Sequence, residues 1–504
     1  MLRGVMRILL SVSDKSGIAA LASALADLGH ELVASGGTRQ WLNAQGIPSI
    51  SVEDVTGFPE ILDGRVKTLH PRIHAGILAR RDLPAHIATL AAHDIPAIGM
   101  VIVNLYPFAA TLARQAPEQE IIENIDIGGP SLIRAAAKNF TSVIVLVDPD
   151  DYSPVLEELA AGGVSLSTRR RLAGKAFGHC AAYDAAVTRF FQGETLTDPW
   201  VMAGRLRALL RYGENPHQRA AFYATGGGLA DARLLQGKEL SYNNLLDADA
   251  AWASVGEFAE PAAAIVKHGN PCGVALAENI GSAYQRAWHA DKVSAFGGIV
   301  ALNQLCDGPL AGEITATFTE LVLAPDFSPE ARQVFSQKKN LRLLAMPERS
   351  SGASLSFRSI AGGFLVQETD NAFAGPQEIR VATVRAPKPA LLTDLLFAQK
   401  VCKHLRSNAI VVAAAGQTLG IGAGQTNRID AMRHALDKAG DRARGAVLAS
   451  DGFFPFADSI ALAAERGIAA IIQPGGALRD SEIIAAAEAA GITMVLTGLR
   501  HFRH

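Results

Sequence analysis

Lys267 and His268 stand side by side at the end of the apolar run Ala262-Ala263-Ala264-Ile265-Val266, which is expected to be a buried strand. The run Gly269-Asn270-Pro271-Cys272-Gly273 that follows makes the chain turn there. A base and a cation are thus set at a strand end, where α/β proteins collect their ligands. The plain alternative is a surface turn with a solvated Lys and His, and further clusters tell against it. Ser13-Asp14-Lys15 and Ser35-Gly36-Gly37-Thr38 are two strand-to-helix turns able to hold an anion. The first N–H groups of a helix are unpaired and its dipole favours negative charge. Read as N-caps, Ser13, Asp14 and Thr38 would merely start helices. In Gly64-Arg65-Val66-Lys67-Thr68 the two cations alternate and point the same way if extended, a repulsion that an anion would relieve. Asn104-Leu105-Tyr106 closes the apolar stretch 100–103, and the Asn104 amide can both donate to and accept from a heterocyclic amide edge.

Positioning these groups requires alternating strands and helices. Strands are expected at Arg7–Val12, Glu31–Ala34 and Ser142–Val147, with helices at Ile18–Leu28 and Arg39–Ala44. After Asp126-Ile127-Gly128-Gly129, Pro130 suits the first position of a helix that carries Arg134 and Lys138 on one face. The polar stretch Gln192–Pro199 marks a boundary, dividing the chain into 1–198 and 199–504, the latter in parts of about 199–375 and 376–504.

Beyond the boundary, the loop Arg211–Gln218 and the helix start Ser241–Asp247, with Asn244, are dense in hydrogen-bonding groups. Asn408–Ala414 is expected to return through Gly416-Gln417 as a hairpin. Gly420, Gly422 and Gly424 then precede Arg428, a spacing unlike a dinucleotide loop and read as close approach of a flat ligand. Phe453, Phe454 and Phe456, bracketed by Asp451 and Asp458, suggest an aromatic slot with a carboxylate at its end. The basic end Thr497–His504 is expected to fray.

A length of 504 residues, 49% hydrophobic and 19% charged, implies a folded chain of several domains. The net charge of -2 offers no global attraction for nucleic acid or an anionic membrane. Cys180, Cys272, Cys306 and Cys402 are too scattered for a disulfide framework or a zinc pair. The apolar run Ile8-Leu9-Leu10 is too short for a signal peptide, no span is long enough for a bilayer, and a cytoplasmic protein is expected.

Taken together, the motifs from Ser11-Val12-Ser13-Asp14-Lys15 to Leu499-Arg500 resemble one family along essentially the whole chain. It is the bifunctional enzymes of late purine synthesis, which join 5-aminoimidazole-4-carboxamide ribotide (AICAR) transformylase to inosine monophosphate (IMP) cyclohydrolase. Gly64–Pro71, Arg211–Gln218 and Phe453-Phe454-Pro455-Phe456 carry the resemblance most specifically. It implies an α/β fold: an N-terminal parallel-sheet domain similar to methylglyoxal synthase, then a pair of α/β subdomains similar to cytidine deaminase.

By the same resemblance, ring closure would use Lys138, with Asp126 and Tyr106. IMP would lie against Ser13, Asp14, Lys15, Ser35, Gly36, Gly37, Thr38, Arg65, Val66, Lys67, Thr68, Asn104, Leu105, Asp126 and Ile127. Formyl transfer would use Lys267 and His268, with AICAR held by Arg211, Tyr212, Asn244, His268, Gly297, Glu320, Asn408, Arg428 and Arg500. Glu320 stands where some members have Asp. Folate would meet Ile429, Phe453, Asp458, Ala477 and Leu478. The cosubstrate implied is 10-formyltetrahydrofolate, with no permanently bound cofactor or metal, and the protein would be a homodimer sharing its transformylase sites. A zinc deaminase, the nearest rival, fails on ligands: Ala275 stands where a second Cys is needed and no His-x-Glu precedes Cys272.

Overall fold

The computed structural model describes residues 5–193, 196–348 and 355–504; Glu194 and Thr195, within the expected boundary stretch, lie outside it. Two compact units emerge, Met1–Gly204 and Arg205–His504. Among the described residues no helix is long and apolar enough to cross a membrane.

The first unit is built on five parallel strands: β1 (Arg7–Val12), β2 (Glu31–Ala34), β3 (Ile50–Ser51), β4 (Ile98–Asn104) and β5 (Ile144–Leu146). Their order is β3-β2-β1-β4-β5, so the winding direction reverses between β1 and β4. Helices cover both faces, which is why β4 is apolar on successive residues and buried over Ile98–Val103. The 27-residue helix Leu166–Gln192 closes this core through Leu172, Ala173, Ala176 and Cys180. Burial pushes the Cys180 thiol up to about 11.

Three expectations shift here. The second helix is Gly36–Ala44, so Gly36, Gly37 and Thr38 form its first turn rather than a preceding loop. The helix after Asp126 begins at Gly128, which puts Pro130 at its third residue; Pro is tolerated there because no N–H of the first turn has an intrahelical acceptor. Neither Ser13 nor Asp14 caps the Ile18–Asp27 helix, whose N-cap is Gly17 in the left-handed region (φ 69°).

The second unit starts with a hairpin of β6 (Arg205–Leu210) and β7 (Ala220–Ala224). Its main sheet has twelve strands. One half holds β8 (Arg233–Gln236), β9 (Ala262–Lys267), β10 (Asn270–Leu276), β11 (Ile299–Leu302), β12 (Leu321–Ala324) and β13 (Arg342–Ala345). A separate hairpin follows, β14 (Leu355–Ile360) and β15 (Gly363–Glu368). The other half holds β16 (Arg380–Val381), β17 (Ile410–Ala414), β18 (Gln417–Gly422), β19 (Val447–Ser450), β20 (Ala470–Gln473) and β21 (Thr493–Leu496).

The order β16-β21-β20-β19-β17-β18-β10-β9-β11-β12-β13-β8 is a palindrome of topology. Each half has a helix, an antiparallel hairpin, three parallel strands joined by helices, and an antiparallel edge strand; β10 and β18 meet antiparallel at the centre. Along β9 the side chains alternate between layers. Ala262, Ala264 and Val266 join Val411, Ala413, Val447 and Ala449 in one core shared by both halves, whereas Ala263 and Ile265 face a core of the first half alone.

The alternate glycines are explained by packing. A Cβ at Gly420 would lie 2.0 Å from the Ala435 carbonyl oxygen, and one at Gly422 1.9 Å from that of Ala431. They let the helix Arg428–Ala439 sit directly on β18, so the expected approach of a flat ligand is replaced by a helix. Gly273 of β10 does the same for the helix Ile280–Ala290 in the first half, 2.1 Å from the Ala287 oxygen.

Candidate active sites

In the first unit a cavity of about 520 Å³ opens at the carboxyl ends of β1, β2 and β4, at the switch point of the sheet. Ser11, Ser13 and Lys15 line it from the end of β1, Ser35, Gly37 and Thr38 from the first turn after β2, and Asn104 and Tyr106 from the end of β4. Arg65, Lys67 and Thr68 enter from a loop, and Asp126, Ile127, Gly128 and Gly129 from the start of the helix Gly128–Lys138. Two helix N-termini therefore face one space that also holds Lys15, Arg65 and Lys67, the electrostatics an anionic group needs.

The local chemistry is specific. Asp126 Oδ1 accepts from Gly129 N at 2.7 Å, and Asp126 N donates to Tyr183 Oη at 2.7 Å. Burial raises the Asp126 carboxyl above the usual carboxylate range, against the opposing pull of the Gly129 and Tyr106 N–H groups and the Lys67 charge. Lys67 Nζ lies 3.4 Å from Tyr106 Oη. Burial also lowers Lys15, opposed by Asp14, and its Nζ donates to the Val12 carbonyl. A Cβ on Gly128 would meet Thr68 Oγ1 at 2.9 Å, and one on Gly129 would meet Asp126 Oδ2 at 2.5 Å. Only glycines let those groups crowd the helix start.

Several expected contacts are placed differently. Asn104 Oδ1 accepts from Ser13 N (2.6 Å), Ser13 Oγ (3.0 Å) and Asp14 N (2.9 Å), and its Nδ2 donates to Asp14 O (3.0 Å). The amide read as a ligand contact is engaged in holding the β1 loop. Thr38 Oγ1 exchanges hydrogen bonds with the Val12 backbone, both 3.1 Å. Arg65 pairs with Glu123 at 2.5 Å. Asp14, Gly36, Val66 and Leu105 are outside the lining, whereas Ser11, Asp63, Glu123 and Gly128-Gly129 join it. Lys138 ends its helix exposed, about 15 Å along the axis from Gly128, and does not reach this cavity in one copy.

In the second unit the expected residues gather along one edge of the sheet. Lys267 ends β9 and His268 follows it, and Lys267 Nζ donates to Phe296 O at 3.0 Å, beside Gly297. His268 is exposed and Lys267 partly so. The two-residue turn His268-Gly269 is left-handed at both positions (φ 55° and 71°), the geometry of a tight hairpin. Asn244 lies one turn from Asp247 on the helix Tyr242–Val255, and Asp247 accepts from His268 N and Gly269 N. Asn244 itself closes a capping box with Ser241. The Arg211-Tyr212 loop reaches the same helix start, where Asn243 Nδ2 donates to Glu214 O at 3.3 Å.

The other half contributes the segments after β19, β20 and β21. Arg428 pairs with buried Asp451 at 2.9 Å and donates to Phe453 O at 3.0 Å, while its buried Nε has no hydrogen-bond partner. Arg500 is exposed and lies 4.4 Å from the Phe502 ring, on which Arg428 also stacks. The C-terminal end is not frayed: His501 N donates to Asp451 O, and Arg503 O accepts from Ser407 N. Phe454 is core, whereas Phe453, Phe456 and Leu478 are exposed. Ile429 and Ala477 pack partly on the core, and the Asp458 carboxylate accepts from Ser459 N. Asn408 Nδ2 donates to Gln425 O at 2.9 Å. Glu320 sits by Gly298 through a backbone bond, while its carboxylate pairs with Arg342 at 2.9 Å. Asn270 ties the two halves, accepting from Arg406 N at 3.2 Å.

Comparison with known proteins identifies the family. Residues 17–131 match the model of the MGS-like domain, and residues 136–438 match that of the AICARFT/IMPCHase bienzyme. The chain is 53% identical over 520 residues to the bifunctional purine biosynthesis protein PurH of Rhodospirillum rubrum, covering 99% of each chain. It is 54% identical over 508 residues to that of Chloroflexus aurantiacus and 51% over 519 to that of Acidithiobacillus ferrooxidans, again with 99% of each chain covered. The chain belongs to the AICARFT/IMPCHase bienzyme family.

Proposed function

We propose that the chain runs the two reactions of its family in two places, ring closure in the cavity of the first unit and formyl transfer at the His268 edge of the second. It is a bifunctional enzyme of purine biosynthesis that formylates AICAR and closes the product to IMP. The one-carbon donor is of folate type, read here as 10-formyltetrahydrofolate. A cytoplasmic homodimer is proposed on the resemblance alone.

In formyl transfer, the AICAR 5-amine forms a C–N bond to the formyl carbon while the bond to the folate nitrogen breaks. His268 takes the proton from the amine, and Lys267 stabilises the oxyanion or protonates the departing nitrogen. A proton transfer of this kind contributes about 10²- to 10⁴-fold in rate.

In ring closure, the carboxamide nitrogen adds to the formyl carbon and one proton moves to the former formyl oxygen. The hydroxyl then leaves as water with a ring-nitrogen proton. Both partners belong to one molecule, so positioning supplies much of the rate. The observation that carries this reading is the cavity that gathers Asp126 with the Lys67–Tyr106 pair at the switch point of the sheet. Asp126 is read as the group that serves proton transfer at the leaving hydroxyl. The ring-closing role that the resemblance gives Lys138 calls for a neighbouring copy to present it. Supplied with AICAR and the folate, Lys67→Ala is expected to accumulate formyl-AICAR; continued IMP formation at the unaltered rate would refute this placement.

A further inference from the structure

His268 occupies the left-handed region (φ 55°), which disfavours a side chain with a Cβ, so something must hold it there. Both of its peptide groups are held by side chains. Asp247 Oδ2 accepts from His268 N at 3.2 Å and Oδ1 from Gly269 N at 2.6 Å, while Asn270 Nδ2 donates to His268 O at 3.1 Å. Asn270 is anchored in turn by Arg406 N from the other half of the sheet.

The palindromic fold supplies an internal counterpart. The turn Ala415-Gly416 between β17 and β18 has the same left-handed pair (φ 49° and 68°). Asp394, on the helix Pro389–Lys403, accepts from Ala415 N at 2.8 Å and Gly416 N at 2.7 Å. There the flanking residue is Ala414 and no base is present. The residue matching Asn270 is Gln417, which turns away to Arg286 O (2.8 Å). The duplicated carboxylate clamp is common to both halves, and the Ala415 carbonyl is braced as well, by Arg286 Nη2, but only in the first half does the clamp hold a histidine, and only there does the residue after the turn supply the brace.

We propose that Asp247 and Asn270 are positioning residues that fix the backbone of His268 and so aim its imidazole at the formyl-transfer site. This rests on the reading of His268 as the base. The test measures formyl transfer, cyclisation of supplied formyl-AICAR, and thermal midpoint in full-length His268→Ala, Asp247→Asn, Asn270→Ala and Asp394→Asn. Expected is a loss of at least about tenfold in formyl-transfer kcat for Asp247→Asn, with KM for AICAR within about threefold and cyclisation unchanged. Asp394→Asn should lower the midpoint similarly yet leave that kcat within about twofold. Should Asp247→Asn not fold, Asn270→Ala, which removes one brace outside the clamp, carries the same kcat expectation. The proposal is overturned if the folded variants at Asp247 and Asn270 keep the original kcat, or if Asp394→Asn loses as much kcat as Asp247→Asn. A His268→Ala enzyme that still transfers formyl would instead overturn the reading of His268 itself.

Discussion

Gly129→Ala puts the geometry of the ring-closing cavity under direct strain. The added Cβ would lie 2.5 Å from Asp126 Oδ2 and 2.7 Å from Leu105 Cδ2, so the carboxylate must retreat by 0.9 Å to reach even a 3.4 Å contact. The Leu105 side chain belongs to the core of the first unit and yields little. Overpacking of this size costs about 1–3 kcal/mol. The retreat also weakens the 2.7 Å bond from Gly129 N, and a hydrogen bond of this kind contributes about 0.5–1.5 kcal/mol. A misplacement near 1 Å at a reacting group costs about 100-fold in rate. Stopped-flow conversion of supplied formyl-AICAR should therefore slow by roughly 100-fold, with formyl transfer in the second unit within about twofold of the original. Cyclisation at the original rate in a folded Gly129→Ala protein would refute the assignment of Asp126.

Three further outcomes follow from the same structure. Burial raises Asp126 above its unfolded value of 3.8, so the folded chain keeps this proton longer than the unfolded chain. Its contribution to stability is thus favourable at low pH and is lost as pH rises from about 3.8 through the folded pKa. Asp126→Asn should raise the thermal midpoint at pH 7, show a smaller gain at pH 4.5, and abolish ring closure; a midpoint lowered at pH 7 would contradict the burial argument. Asp451→Ala strands the Arg428 guanidinium, whose side chain is 9% exposed, and should destabilise the second unit by about 3–5 kcal/mol in urea titration. Gly422→Ala forces a Cβ against the Ala431 carbonyl at 1.9 Å and should cost about 1–3 kcal/mol or more by the same titration, whereas a ligand-facing glycine would cost little.

Much of the site was legible because strand ends and Gly-containing turns betray themselves locally. Lys267-His268 and Ser35–Thr38 fall where apolar runs stop, and the fold places them at strand ends, while Asp126–Gly129 opens a helix, as its Gly-Gly-Pro run suggests. What stayed hidden depends on partners distant in sequence. Nothing near Arg428 signals that Asp451 will take its charge, and nothing near Asn104 signals that the β1 loop will use its amide. Gly420 and Gly422 resembled a ligand loop because a helix axis and a flat ligand demand the same bare backbone. The duplication was equally invisible: Lys267-His268 and Ala414-Ala415 share a backbone conformation but no side-chain chemistry, and the matching carboxylates Asp247 and Asp394 sit on helices far upstream of the turns they clamp.

The division of labour between the units is tested most directly by following His268→Ala and Asp126→Asn with each substrate in turn. His268→Ala should fail on AICAR plus 10-formyltetrahydrofolate yet convert supplied formyl-AICAR to IMP at the original rate. Asp126→Asn should form formyl-AICAR normally and stop there. Loss of both activities in either folded variant would contradict two independent sites.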